Sequence, residues 1–251
     1  MEERLNKWLS RMGVCSRREA DRLIEAGKVL VDNRPASMGQ KVTPGQKVVC
    51  NGRMVRVDKS RKPRPVLLAV NKPRGIVCTT TDKDRAENIV DFLGYPERIY
   101  PVGRLDKDSE GLLLMTNQGD LVNKIMRSGN AHEKEYIVTI DKPVTEHFLE
   151  QMAGGIRLSE LDQVTRPCKV KKVDRNTFSI ILTQGLNRQI RRMCEVCGCQ
   201  VRRLVRVRIM NIRLGNLRTG AYRQITKEEY EELTGLLKDS SSLSLKERKN
   251  R

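Results

Sequence analysis

Tyr100-Pro-Val-Gly-Arg-Leu-Asp-Lys-Asp-Ser-Glu-Gly-Leu-Leu-Leu-Met-Thr-Asn-Gln-Gly119 sets a short charged run between two apolar ones. Residues 99–102 have strand character, and Leu112-Leu-Leu-Met115 is an unbroken apolar run of strand length, the pattern of a strand buried on both faces. A loop gripped at both ends by core elements is positioned well enough to host chemistry. This one holds Asp106 between Arg104 and Lys107. Nearby positive charge favours the anionic carboxylate, which suits a nucleophile, and Asp106 is read as one. The same residues also fit a turn carboxylate in a surface ion pair, so other parts of the chain have to decide.

Working outward towards the N-terminus, residues 86–93 read as a helix with Ile89, Val90 and Leu93 on one face. Before it come two strand-like runs, Val66-Leu-Leu-Ala-Val70 and Ile76-Val-Cys-Thr-Thr80, joined by the turn Asn71-Lys-Pro-Arg-Gly75. Lys72 and Arg74 are expected to project from that turn. On the C-terminal side a helix is expected over 120–127, then the strand Ile137-Val-Thr-Ile140 with Tyr136 at its mouth, and a hairpin of 169–173 with 177–182. Gly185-Leu-Asn-Arg-Gln-Ile-Arg-Arg-Met193 opens a basic helix, whose Arg188 and Arg191 share a face and make a plausible phosphate grip. Val205-Arg-Val-Arg-Ile209 alternates, which is expected to present Arg206 and Arg208 to solvent or RNA. Thr226-Lys-Glu-Glu229 has capping-box spacing and begins a helix reaching about residue 237.

Near the start, Leu5, Trp8, Leu9 and Met12 recur at helical spacing and Gly13 closes the run. Ser16-Arg-Arg-Glu19 has capping-box spacing, Ala20, Leu23 and Ile24 form an apolar stripe, and Arg17, Arg18 and Arg22 make the other face basic. Strands around 29–31 and 48–49 follow. The run from Arg4 through Cys15-Ser-Arg-Arg-Glu-Ala-Asp21 to Val31 resembles the RNA-binding motif of small-subunit ribosomal protein four. That resemblance implies that Arg17, Arg18 and Arg22 face structured RNA. The expected organisation is an RNA-binding domain over 1–60, a basic Pro-containing linker at 61–65, a catalytic domain over 66–238 and a disordered tail over 239–251.

The chain of 251 residues carries 49 Lys+Arg against 31 Asp+Glu, a formal net charge of +18, and so expects a polyanionic partner, nucleic acid first. With aromatic residues at 4%, binding leans on Arg and Lys more than on stacked rings. No apolar stretch has membrane-spanning length and the opening Met-Glu-Glu-Arg is not a signal sequence, so a cytoplasmic protein that does not engage membranes is expected. Seven cysteines are expected as reduced thiols. Cys194, Cys197 and Cys199 invite a metal reading, but structural zinc wants four ligands and the nearest further cysteine is Cys168, with His132 and His147 far upstream. Cys194 and Cys197 read instead as small buried apolar residues of a helix, and no metal is expected. Neither a Gly-x-Gly-x-x-Gly turn nor a Walker phosphate loop is present, which counts against nucleotide-dependent chemistry.

Four stretches, Asn71–Gly75, Gly103–Asn117, Lys134-Glu-Tyr136 and Gly185–Met193, together resemble the pseudouridine synthases that modify ribosomal RNA, in the architecture of the small-subunit synthase A group. The resemblance implies an α+β fold, with a mixed, largely antiparallel sheet, flanking helices and a central cleft. It implies that Asp106 initiates cleavage of the uridine N-glycosidic bond, either by attack on sugar or base or by removing a ribose proton to give a glycal. The uracil is then freed, turned and rejoined through carbon five, without cofactor because no redox change occurs. By the same resemblance Arg191 pairs with Asp106, Tyr136 stacks on the base and helps remove the carbon-five proton, and Ile190 packs against the base. Arg104 fills the gap left by the flipped nucleotide, offsetting part of an unstacking cost of about a few kcal/mol. Leu105, Lys107, Asp108, Asn187, Arg188 and Gln189 are further substrate-binding candidates, and Lys72 and Arg74 further RNA contacts. The expected partner is ribosomal RNA, structured 23S in first place, with tRNA as a second candidate and a monomer as the acting form. The competing reading is a non-catalytic ribosome-assembly protein in which Asp106 is structural.

Overall fold

The computed structural model describes residues 2–55, 64–79 and 86–240. Most of the expected linker and the expected tail from 241 onward lie outside the described residues. The chain divides into two compact units, Met1–Arg64 and Pro65–Arg251.

In the first unit the helices Leu5–Arg11 and Arg17–Glu25 pack on a four-stranded sheet centred on Val29–Val31 and Val48–Cys50. Leu5, Leu9, Ala20 and Ile24 from the helices meet Val29, Val31 and Val48 from the sheet, all buried. Ser16 caps the second helix by accepting the Glu19 N–H at 3.1 Å, while the Glu19 carboxylate turns to Arg22. The expected capping box is therefore half made.

The second unit is built on a nine-stranded mixed sheet. Its main path runs Lys169–Asp174, Thr177–Leu182, Lys134–Ile140, Val201–Ile209, Glu110–Thr116, Leu67–Lys72 and Tyr222–Gln224. All neighbours on that path are antiparallel except Val201–Ile209 with Glu110–Thr116. The unbroken apolar run of 112–115 has a simple cause. Leu112 and Leu114 join the core under the helices Gly119–Met126 and Lys227–Leu236, while Leu113 and Met115 join a separate core with Ile89, Ile99 and Leu105. Both faces of this strand are covered. The single parallel contact places Arg206 opposite Gly111, and a Cβ on Gly111, whose φ is +101°, would stand 2.4 Å from the Arg206 carbonyl oxygen. Glycine is what lets those two strands meet.

Three elements differ from the sequence-based expectation. Among the described residues of the run after Gly75, 76–79, no strand forms: Val77 makes one isolated bridge to Asn88. The helix expected over 86–93 is Ile89–Leu93, because the Asn88 side chain accepts the Val90 and Asp91 N–H groups and so fixes the start there. The basic helix is Gln189–Val196 and excludes Arg188, which sits at φ +49°. The 169–174/177–182 hairpin and the complete Thr226–Glu229 capping box form as expected.

Candidate active site

The loop between Val102 and Glu110 is fastened mainly through its backbone. The Ser109 N–H donates to the Asp106 carbonyl at 3.1 Å, closing a turn, and the Gly75 N–H donates to the Lys107 carbonyl at 2.8 Å. The Leu105 N–H points to Cys78 Sγ at 3.4 Å, with the Leu105 side chain in the core. Lys72 supplies a further tie, donating from Nζ to the carbonyls of Ser109 at 2.8 Å and Pro73 at 2.9 Å. Lys72 was expected to project towards RNA. It is instead fully buried, because it ends the Leu67–Lys72 strand opposite Gly111 and its side chain passes beneath the loop. Burial lowers its pKa, opposed by the nearby Cys78, Asp106 and Asp108. Arg74, in the same turn, is exposed.

Asp106 faces a cavity of about 650 Å³. The resemblance paired its carboxylate with Arg191, and here the structure corrects it. Arg191 Nη2 lies 3.1 Å from Asp108 Oδ2 and donates to the Asp108 carbonyl at 3.1 Å and Ser109 Oγ at 3.4 Å, while Nη1 donates to the Val201 carbonyl at 3.3 Å. Asp106 instead has Arg188 Nη1 at 3.8 Å, and Arg188 also lies 3.3 Å from Asp108. The 106–109 turn explains the exchange: it folds Asp108 back onto the helix, leaving Asp106 on the cavity wall. Burial works against charge on Asp108, but Arg191 and Arg188 outweigh it and hold its carboxyl below the usual range.

The rest of the wall mixes apolar and cationic groups. Tyr136 and Ile190 line it, Tyr136 half-buried against two cores and Ile190 buried. Arg104 and Lys107 are exposed at its rim. Asn187 and Gln189 also line it, but their side chains serve the loop: Asn187 accepts from Arg192 at 3.2 Å, and Gln189 Oε1 accepts the Leu186 N–H at 3.1 Å.

Arg206 and Arg208, expected to face solvent, do not. Arg206 is 1% exposed and donates to the carbonyls of Leu112 at 2.7 Å and Arg104 at 3.4 Å. Arg208 is held by Glu135 at 2.8 Å and Glu133 at 3.0 Å. Alternation identified the faces of this strand, but its neighbours on both sides determine what covers them. Lys134 is buried beside Arg206 on the same wall and donates to the His132 carbonyl at 2.9 Å. Burial and then Arg206 lower its pKa to about 8.

A lysine released into the unfolded chain titrates near ~10.4. Between about pH 8 and that value the unfolded chain binds a proton the native state does not, so native stability rises with pH. Urea unfolding of wild type and Lys134→Met is expected to show the wild type gaining about 2–3 kcal/mol on the variant across that window. Parallel curves would mean that Lys134 carries no such penalty.

Residues 66–196 match the model of the RNA pseudouridylate synthase family and residues 3–48 that of the S4 domain. The chain belongs to the RNA pseudouridine synthase family. This synthase is 52% identical over 239 residues to the dual-specificity RNA pseudouridine synthase RluF of Escherichia coli (strain K12), covering 95% of the chain and 81% of that relative. The wording Gly185-Leu-Asn-Arg-Gln-Ile-Arg-Arg-Met-Cys194 also resembles that of large-subunit pseudouridine synthase F, in agreement with this. It is 35% identical over 240 residues to the ribosomal large subunit pseudouridine synthase B of Bacillus subtilis (strain 168), covering 93% of the chain and 96% of the relative. A solved crystal structure of a pseudouridylate synthase matches it with a TM-score of 0.67 at 27% identity, over 92% of this chain and 99% of that one.

In the S4 unit of the synthase, Arg17, Arg18 and Arg22 are exposed on the second helix, Arg22 beside Glu19. The seven cysteines are free thiols. Cys194 and Cys199 are buried in the core beside the basic helix, where Cys199 Sγ lies 3.3 Å from the Cys194 carbonyl, and Cys197 packs against it. Sequence reasoning missed Gln184 and Arg206 on the cavity wall and gave Lys134 no role beyond its motif. For Gln184 the available signal was its place just before the Gly185–Met193 stretch. For Arg206 there was none, since an arginine in an alternating strand ordinarily faces water.

Proposed function

We propose that this pseudouridine synthase isomerises specific uridines of ribosomal RNA, 23S RNA first, with Asp106 initiating cleavage of the glycosidic bond of a flipped nucleotide. The observation that carries this reading is Asp106 on a cavity shared with Tyr136 and Ile190, its loop fixed through the backbone. An aromatic ring and an aliphatic side chain offer flat apolar contact to a base, and Arg104 at the rim is placed to enter the gap in the stack. The arginines are read in two roles. Arg188 neighbours the Asp106 carboxylate, while Arg191 positions the loop through Asp108.

The substrate class is supported by the large-subunit relative at 35% identity, and the dual specificity named for the relative at 52% supports more than one RNA target, tRNA being the second candidate. The +18 charge and the exposed Arg17, Arg18 and Arg22 supply phosphate attraction. The acting form is taken as a cytoplasmic monomer.

The test is to map pseudouridines in ribosomal RNA and tRNA from cells with and without this protein. Loss of one or a few 23S sites is expected. An unchanged 23S pattern would remove that RNA as substrate.

A further inference from the structure

Three residues lining the Asp106 cavity each carry a buried side-chain nitrogen with no hydrogen-bond partner among the described residues: Gln184 Nε2, Arg191 Nε and Arg206 Nη2. All are donors. A buried donor left unpaired is costly, and several on one wall favour a ligand that brings acceptors. Gln184 is the neutral member of the group, 8% exposed, on the loop between the Thr177–Leu182 strand and the Gln189–Val196 helix. Its orientation is set locally. The Arg166 N–H donates to Gln184 Oε1 at 3.2 Å, so the amide NH₂ occupies the other position and is the group left without a partner.

Uracil fits such a wall. It carries two carbonyl acceptors, whereas cytosine replaces one of them with an amino donor. An amide donor held against the carbon-four oxygen therefore welcomes uracil and sets donor against donor for cytosine, whose carbon-two carbonyl is unchanged. We propose that Gln184 is a specificity-determining residue, its Nε2 donating to the carbon-four oxygen of the target uracil. This rests on the reading that the flipped base enters the Asp106 cavity.

Gln184→Glu separates this role from a structural one, because the variant keeps an oxygen for the Arg166 N–H and replaces the donor by a second, charged acceptor; the uncharged Met variant controls for that charge. Gln184→Met, of similar length and without either group, is the second variant. The substrates are one RNA carrying, at the target position, uridine, 2-thiouridine or 4-thiouridine with tritium at carbon five, since sulfur is the weaker acceptor. Both variants are expected to lose ~10²-fold in kcat/KM on uridine, with RNA Kd within about threefold of wild type. Wild type is expected to be slowed ~10-fold by sulfur at carbon four and not by sulfur at carbon two, and the variants not to be slowed further by the carbon-four change. Wild-type kcat/KM in Gln184→Glu, a thio effect at carbon two alone, or a carbon-four effect that persists in both variants, would overturn the proposal. Asp106→Ala is run alongside. If it releases tritium as wild type does, the cavity reading itself fails; if it is inactive while Gln184→Glu is fully active, only the role of Gln184 is rejected.

Discussion

Asp106→Asn is expected to reduce release of tritium from uracil carbon five in RNA by ~10⁴-fold or more, with RNA affinity within about twofold of wild type. The structure makes this substitution informative. The loop is held through the backbone carbonyls of Asp106, Lys107 and Ser109, while the Asp106 side chain, 37% exposed, has as its neighbouring charge Arg188 at 3.8 Å. Asparagine keeps the shape and removes the charge, so the turn is expected to survive and stability to stay within ~0.5 kcal/mol, as for ordinary partly exposed positions. A lost rate then reports chemistry. Activity within tenfold of wild type would mean that Asp106 does not initiate the reaction and would favour the reading of a structural turn carboxylate.

The second large effect belongs to Arg191. Arg191→Ala is expected to lower kcat ~10²–10³-fold while RNA Kd changes by no more than about threefold, because displacing a reacting group by about 1 Å already costs ~10²-fold. Arg191 is 8% exposed and joins the Gln189–Val196 helix to Asp108, Ser109 and Val201. Removing it frees the loop without deleting a phosphate contact. Equal losses in binding and turnover would instead assign it to RNA. Since its proposed action runs through Asp108, the double variant with Asp108→Asn is expected to be little slower than Arg191→Ala alone; additive losses would dissociate the two residues.

What the sequence made legible was local. The apolar run at 112–115, the Ser16 and Thr226 caps and the 169–182 hairpin depend on neighbours a few residues away, and each formed near its expected position. The placement of Asp106 on a core-anchored loop was legible for the same reason, since apolar runs flank it directly. Side-chain partners set by distant strands were not. Lys72 meets Ser109 across 37 residues and Arg206 meets Leu112 across 94, and no spacing in the chain distinguishes a lysine that passes beneath a loop from one that reaches into water. The Arg191 partner failed on a finer scale. Asp106 and Asp108 are two residues apart, and only the turn closed by Ser109 decides which of them meets the helix.

The parallel contact at Gly111 also bears on the order of assembly. The Asp106 loop lies between the Tyr100–Val102 and Glu110–Thr116 strands, yet Arg206 and Arg191, which bind its carbonyls, come from 102 and 83 residues later in the chain. Long-range pairings of this kind form late, after the entropy of closing a large loop has been overcome. During synthesis the segment around Asp106 therefore emerges well before the groups that shape it, and the Val201–Ile209 strand has to be made and inserted before the loop takes its final form.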